Sequence, residues 1–317
     1  MIYITIMVDK KDEIILEALM HNARIGLKEL SKLTHVTKSA VSYRIKKLEE
    51  SKIIDKYDTI INLSKIRLYK EFLFLTIFEA KENEFLELIH TSKEIASCFK
   101  IINHEGYILV AFYKTKKQRT YFHKIIKRYC LGFRIFEIDK VLFKPYSIFN
   151  LNLEIRNEKT TDKTLRLDDT DIKLINALTN GNARKSILEL SEELKIAYDL
   201  LNFRFKRLKK AGYFSLFMAQ LSPKMFDIEG DFVLIKYKKN EIGGIIKKLN
   251  RIRQIFYYCE LKDNVILTQV LTRDFKEFKN VLSELSNEIE EKAAIQIYLV
   301  EDTIFLNRFP FEWLKNY

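Results

Sequence analysis

The sequence predicts an α+β fold made by internal duplication: two winged helix-turn-helix units, each followed by a ferredoxin-like βαββαβ sandwich. Three observations lead there. One helical pattern is written twice, at Asp9 to Ile54 and at Asp168 to Phe214. Asp12, Asn22-Ala23-Arg24, Glu29-Leu30-Ser31 and Arg44, Lys46, Leu48 recur as Asp171, Asn182-Ala183-Arg184, Glu189-Leu190-Ser191 and Arg204, Lys206, Leu208, about 160 residues on, which is too long a period for a solenoid repeat. The stretch after each copy alternates strand-like and helix-like segments in the same order, and Glu71-Phe72 is matched by Asp231-Phe232.

The elements follow in order. Met1 to Met7 alternates apolar residues as a short strand does. Asp9 caps a helix reaching His21, with Ile15, Leu16 and Leu19 as its apolar stripe. Gly26 to Leu33 is a second helix, Thr34-His35-Val36 the turn, and Thr37 the cap of a third helix ending near Glu50. Ile53 to Leu63 alternates and reads as a wing hairpin. Strand 72–78, helix 82–92, strands 96–103 and 107–113, helix 117–130 and strand 132–143 give βαββαβ. The second copy repeats this with helices 169–180, 186–194 and 198–211, a wing to Gln220, strand 232–237, helix 242–250, strands 255–261 and 265–271, helix 275–291 and strand 295–305. The expected domains are 1–64, 65–146, a polar connector 147–166, a divergent second helix-turn-helix 167–224, and 225–317.

Charge points to an anionic partner. The net charge is +12, and residues 1–160 hold 29 Lys/Arg against 20 Asp/Glu, so the first half carries most of the excess. The most apolar stretch, Phe72 to Phe78, is too short to span a bilayer, and Met1 to Val8 lacks the pattern of a signal peptide. No membrane partner is expected, and the expected location is cytoplasmic and nucleoid-associated. Cys98, Cys130 and Cys259 lack metal-ligand spacing and read as buried free thiols.

The third helix has one face able to enter a major groove. Val41, Ile45 and Leu48 must face the core at i, i+4, i+7. The opposite side carries Ser39, Tyr43 and Lys46, flanked by Ser42 and Lys47, with Thr37 and Lys38 at the helix start. Short hydroxyls suit base edges, and long cationic stems suit phosphates. In the second copy Leu201, Phe205 and Leu208 form the core stripe. Its outer side shows Asp199, Phe203, Lys206 and Lys210, flanked by Asn202 and Arg207, and Ala197 stands where Thr37 caps the first copy. Asn202, Lys206, Arg207 and Lys210 are its candidate DNA contacts, in a weaker reader or a pairing partner.

The pattern from Asp9 through Asn22-Ala23-Arg24, Glu29-Leu30-Ser31, Thr37 to Leu48 and Ile53-Ile54 resembles the leucine-responsive/AsnC family, in a tandem form like those of archaea. The resemblance covers nearly the whole chain, twice. It implies a sequence-specific transcriptional regulator of double-stranded DNA, with helix 37–50 as recognition helix and the paired copies acting as an intramolecular dimer. It also implies two sandwiches packed sheet to sheet, through which the chain could self-associate. The family's hairpin between the middle strands often carries Gly, an aromatic and Asp to hold an effector. Here Glu105-Gly106-Tyr107 has no following Asp and Lys262-Asp263-Asn264 has no Gly, so no high-affinity amino-acid effector is expected.

Two alternatives stay open. One is a sequence-tolerant architectural or chromatin protein. The other is an enzyme resembling the sirohaem decarboxylases, which look like paired members of this family and hold a porphyrin with His and Arg; His104 and His123 are the residues that could serve. No phosphate loop, nucleophile elbow or HExxH pattern is present, the histidines read as surface or turn residues, and neither enzymatic activity, cofactor nor metal is expected.

Overall fold

A computed structural model describes residues 8–102, 106–144, 147, 149, 164–289 and 293–306. The expected strand at Met1 to Met7, most of the polar connector, His104 and Glu105 lie outside them. The chain divides into two compact units that do not follow the copies in sequence. One holds Met1–Ile61, Phe143–Leu165 and Lys173–Ile228; the other holds Asn62–Leu142, Arg166–Ile172 and Glu229–Tyr317.

The first unit contains both helix-turn-helix elements apart from the first turn of α6, which ends at Ile172 in the other unit. α1 (Lys10–His21), α2 (Leu27–Thr34) and α3 (Lys38–Glu50) form the first; α6 (Asp169–Thr179), α7 (Ile187–Leu194) and α8 (Tyr198–Lys210) form the second. Asp9 and Asp12 cap α1 reciprocally, and Asp168 and Asp171 exchange the same pair of hydrogen bonds at the start of α6. The turns after α2 and α7 pass through left-handed residues at matched positions, His35 (φ 55°) and Lys195 (φ 54°).

The wings differ from expectation. Residues 53–63 do not fold back as a hairpin. β1 (Ile54–Ile61) is a single strand that pairs antiparallel with β6 (Phe214–Leu221) of the other copy, from Ile54↔Leu221 to Ile61↔Phe214. Alternating sequence satisfies a distant partner as well as a near one, because the pleat fixes only which side each residue faces. The pairing is reinforced symmetrically. Ala23 N–H donates to Phe217 O (2.8 Å), and Ala183 N–H donates to Tyr57 O (3.0 Å).

The second unit contains β2 (Tyr69–Ile77), α4 (Glu82–Thr91), β3 (Ile95–Ile101), β4 (Gly106–Tyr113), α5 (Lys116–Ile126) and β5 (Cys130–Phe143) from the first copy. After the short α9 (Pro223–Phe226), the second copy supplies β7 (Glu229–Tyr237), α10 (Ile242–Leu249), β8 (Ile255–Leu261), β9 (Val265–Thr272), α11 (Phe275–Ile289), β10 (Ala293–Tyr298) and β11 (Val300–Phe305). The βαββαβ order is present in both. The strands, however, join in one nine-stranded order, β10-β7-β9-β8-β5-β2-β4-β3-β11.

Two exchanges make that continuity. β5 pairs with β2 of its own copy and neighbours β8 of the other. The expected strand 295–305 is two strands: β10 pairs with β7, and after Leu299 β11 pairs with β3 of the first copy. Alternate residues sort to opposite faces. Leu73, Leu75 and Ile77 pack with Phe85, Ile89, Phe122 and Ile126 of the covering helices, and Val233 and Ile235 pack with Ile245, Leu249, Phe278 and Leu285. On the other face Phe99 meets Phe232 edge to face, with centroids 4.8 Å apart, and Phe74 meets Tyr298 at 4.7 Å.

Candidate nucleic-acid interface

α3 is held by three local devices. Thr37 Oγ1 accepts from Ala40 N–H at 3.2 Å and lies 3.0 Å from Ser39 Oγ, closing the helix start. Val41, Ile45 and Leu48 are buried beneath it. Arg44 reaches back to the α1 cap, its Nη1 lying 2.7 Å from both Asp9 and Asp12. Those two carboxylates, Asp12 first, hold the Arg44 guanidinium above its ordinary range. The hinge between α2 and α3 is closed by the Ser31 hydroxyl donating to Val36 O.

With the helix fixed in this way, Thr37, Lys38, Ser39, Ser42, Tyr43, Lys46 and Lys47 are all exposed, Tyr43 by 70%. Lys46 makes a long i,i+4 contact of 3.7 Å to Glu50, a pair that both water and a phosphate easily outcompete. On α2, Lys28 and Lys32 are exposed as well, two cations that the face analysis of α3 alone passes over.

α8 is the same scaffold with another surface. Leu201, Phe205 and Leu208 are buried, and Ala197 at the cap position makes no side-chain hydrogen bond. Lys206 and Lys210 are exposed, whereas Asn202 and Arg207 are half-buried. Phe203 is 60% exposed, and Leu188, Tyr198 and Leu200 are exposed too. Where the first copy has Lys28, Lys32, Lys38 and Ser39, the second has Leu188, Glu192, Tyr198 and Asp199. At these four positions three cations are lost and two carboxylates gained, while Glu49 and Glu50 are replaced by Lys209 and Lys210, so the positive charge moves from the start of the recognition helix to its end.

Sequence reasoning missed what joins the copies. Arg24 and Arg184, each half-buried, donate into the other copy's loop. The signal was visible, since Asn-Ala-Arg occurs in both copies, but a surface-face analysis gives an arginine between two helices no task.

The residues weighed for other chemistry are occupied elsewhere. His123 pairs through Nε2 with Glu71, which is 1% exposed and also accepts from Arg119 Nε at 2.7 Å. Arg119 Nη1 continues to Glu137 at 2.6 Å, and Glu137 also pairs with Lys262 of the second hairpin. In the first hairpin, a Cβ at Gly106 would lie 1.9 Å from Leu75 O, so this glycine serves the β2–β4 ladder. Asp263 and Asn264 form the second hairpin turn with φ of 64° and 58°. The three cysteines are free; Cys98 and Cys259 are buried as expected, but Cys130 is only partly so, and burial pushes its thiol up to about 11. Among the described residues no helix is long and apolar enough to cross a membrane.

Comparison with known proteins matches residues 8–49 to the AsnC-type helix-turn-helix domain and residues 167–214 to a winged helix-turn-helix DNA-binding domain. The HTH-type transcriptional regulator LrpB of Bacillus subtilis is 32% identical over 103 residues, 32% of this chain and 69% of that protein. The HTH-type transcriptional regulator Ptr1 of Methanocaldococcus jannaschii is 36% identical over 90 residues, 28% of this chain and 60% of that protein. Among solved structures, the siroheme decarboxylase NirDL superposes with a TM-score of 0.64 at 10% identity, covering 96% of this chain and 97% of that one, a likeness of fold.

Proposed function

This chain belongs to the leucine-responsive/AsnC family of helix-turn-helix transcriptional regulators, and from that premise we propose that it reads double-stranded DNA mainly through α3. The observation that carries the reading is the α3 surface: an unbroken set of hydroxyl and ammonium groups, all exposed, on a helix fixed by the Thr37 cap and the Arg44 clamp. Ser39 and Ser42 are the candidates for base edges, and Lys38, Lys46 and Lys47 for phosphates. Lys206 and Lys210 make α8 a weaker reader, with Asn202 and Arg207 partly withdrawn from the surface.

Both readers lie in one unit and are joined by the β1–β6 ladder, so the chain supplies by itself what a symmetric dimer supplies with two. Because the two faces differ, the preferred site is asymmetric, with a strong and a weak half-site about one helical turn apart. The expected domains, 1–64 and 167–224 for reading and 65–146 and 225–317 for pairing, fit that division of labour. Self-association through the sheets of 65–146 and 225–317 is part of the proposal, as is a cytoplasmic, nucleoid-associated location. A regulator without catalytic activity accords with the relatives' roles. The decarboxylase reading draws on a shared fold, while His123 is engaged by Glu71.

Site selection from random duplexes with the full chain, followed by footprinting, tests the reading. An enriched asymmetric motif with protection at both half-sites is the expected result. Binding without any enriched motif would favour the architectural alternative. A perfect palindrome bound by two chains through their first halves alone would overturn the asymmetric site.

A further inference from the structure

α5 carries a second cationic surface, well away in sequence from both readers. From Gly106 to Phe136 the chain has no acidic residue and eight basic ones. The helix is capped by Thr115, whose Oγ1 accepts from Gln118 N–H at 3.1 Å, and it buries Phe122 and Ile126. Arg119 and His123 turn inward to Glu71. What remains outward is Lys117, Tyr121, Lys124 and, in the 3-10 turn that follows, Arg128, spaced i, i+4, i+7, i+11. All four are exposed, Tyr121 by 67%. At helical rise the stripe is about 16 Å long, enough to face several successive phosphates. Lys116 and Lys127 flank it, also exposed.

The duplicated helix gives an internal comparison. α11 is capped in the same way, Asp274 Oδ1 accepting from Glu277 N–H at 2.7 Å, and it buries Val281 and Leu285 where α5 buries Phe122 and Ile126. Its outward residues at the matched positions are Lys276, Asn280, Ser283 and Asn287. The same fold therefore accepts a nearly neutral helix here, and nothing in the packing of the sandwich calls for Lys, Tyr, Lys and Arg on the solvent side of α5. A row of like charges on one helix is mildly destabilising by itself. An exposed tyrosine among cations adds a hydroxyl that can donate to a phosphate oxygen.

We propose that the Lys117–Tyr121–Lys124–Arg128 stripe of α5 is a sequence-independent docking surface for the phosphates of double-stranded DNA, adding to the reading by α3. The occupant follows from charge complementarity and from the chain's role as a DNA-binding regulator, on which the proposal rests. The stripe would raise affinity for every duplex without selecting among sequences.

The test measures binding of the full chain to a random-sequence duplex and to the selected operator across a salt series. For the triple variant Lys117→Ala, Lys124→Ala, Arg128→Ala, the slope of log affinity against log salt should fall by about 0.9 per lost phosphate contact, up to about 2.7 in all, on both duplexes. Lys117→Arg with Lys124→Arg should keep the wild-type slope, and Lys276→Ala on α11 should leave it unchanged. A wild-type slope in the triple variant, with a lowered slope in Lys46→Ala/Lys47→Ala, overturns the stripe and leaves the α3 reading standing. The reverse pattern keeps the stripe and removes α3 as the reader. Absence of DNA binding by the wild-type chain removes both. If the triple variant loses phosphatidylserine vesicles while binding DNA as before, the surface belongs to a membrane and the proposal falls.

Discussion

Arg24 and Arg184 hold each other's copies by the same contacts in opposite directions. Arg24 Nη1 donates to Ala183 O at 2.6 Å and Lys185 O at 3.0 Å; Arg184 Nη1 donates to Ala23 O at 2.5 Å and Ile25 O at 3.3 Å. Each guanidinium also lies near aromatic rings, Arg24 at 4.8 Å from Phe205 and 5.7 Å from Phe217, and Arg184 at 5.7 Å from Tyr57. Burial, then the like charge of Arg184, draws Arg24 below its ordinary range, yet a guanidinium stays charged in proteins. The clamp thus fixes the distance between two readers without a pH dependence of its own.

Removing one arm should loosen the pair. Arg24→Ala deletes two charge-assisted bonds to backbone carbonyls, at a cost of about 1.5–3 kcal/mol each way the loss is apportioned. A lysine ammonium can donate to both carbonyls but lacks the planar guanidinium that lies over Phe205 and Phe217, so Arg24→Lys should recover only part of the loss. Urea midpoints of the three proteins decide this. Equal stability of wild type and Arg24→Ala would show that the β1–β6 ladder alone joins the copies. On the operator, Arg24→Ala should weaken binding to the two half-sites together more than to the strong half-site alone.

The caps make a reciprocal test on one scaffold. Thr37 closes α3 with a side-chain bond that Ala197 does not supply to α8, although neither residue is helical there, with φ −65° and ψ 157° at Thr37 and φ −53° and ψ 135° at Ala197. Thr37→Ala should cost about 0.5–2 kcal/mol and fray the first turn that bears Lys38 and Ser39. Ala197→Thr should stabilise by a similar or smaller amount. Thermal unfolding of both variants checks the pair, and destabilisation by Ala197→Thr would mean that the second cap position is closed by packing.

How much of this was legible in the sequence differs by level. The capping residues Asp9 and Thr37 and the stripes Val41-Ile45-Leu48 and Leu201-Phe205-Leu208 are local signals, and the helices begin and bury where those residues place them. Strand partners are not local. Ile53 to Leu63 alternates whether it folds onto itself or onto β6, so the hairpin expectation and the observed ladder share one pattern. The division of 295–305 at Leu299 is invisible for the same reason, since strand-forming residues such as Ile297, Tyr298, Val300 and Thr303 lie on both sides of it and only the partners, β7 and β3, differ. Among the candidate contacts, exposure in α3 follows from the wheel, whereas the partial burial of Asn202 and Arg207 depends on neighbours that a single helix does not reveal.

Acid should weaken the second unit through Glu137. Lys262 first, and then Arg119, hold its carboxyl below the usual glutamate range. The folded chain therefore binds that proton less readily than the unfolded chain. Its contribution is fully present above the ordinary glutamate value of about 4.3 and is lost as pH falls through the lower folded value. The pair is partly exposed, so the contribution should stay under about 1 kcal/mol. Urea midpoints of wild type and Glu137→Gln should differ at neutral pH and converge in acid. A difference that persists unchanged below that window would assign the effect to packing.

The sandwiches should act in pairing without a high-affinity amino-acid ligand. A zwitterion needs a carboxylate site and an ammonium site converging in one concavity. Gly106 is committed to the close approach of β4 to β2, Tyr107 hydroxyl donates to Glu82, and Lys262 pairs with Glu137, so these groups among the described residues near the hairpins already have partners. A thermal-shift series over the amino acids should therefore show no concentration-dependent stabilisation, since a ligand at one hundred times its Kd would add about 2.7 kcal/mol and move the midpoint visibly. A clear shift with one amino acid would sink this expectation. A shift with a porphyrin would reopen the decarboxylase reading, and His123→Ala would then show whether the Glu71-bound imidazole takes part.

The two readers should differ in what they lose. If Ser39 or Ser42 touches a base edge, its change to Ala should cost about 1–3 kcal/mol at the strong half-site and relax the choice of base there. Lys46→Ala or Lys47→Ala should weaken all sequences alike and lower the salt slope by about one. The matched changes Asn202→Ala and Lys206→Ala should cost less, because Asn202 is half-buried and Asp199, a carboxylate that repels phosphate, stands where the first copy has Ser39. Asp199→Ser gives the opposite sign: with a carboxylate removed, binding at the weak half-site should tighten and the operator should drift toward symmetry in a repeated selection. Equal losses from the two sets of substitutions, with no gain from Asp199→Ser, would show that the copies read DNA alike and that the divergence of α8 serves another purpose.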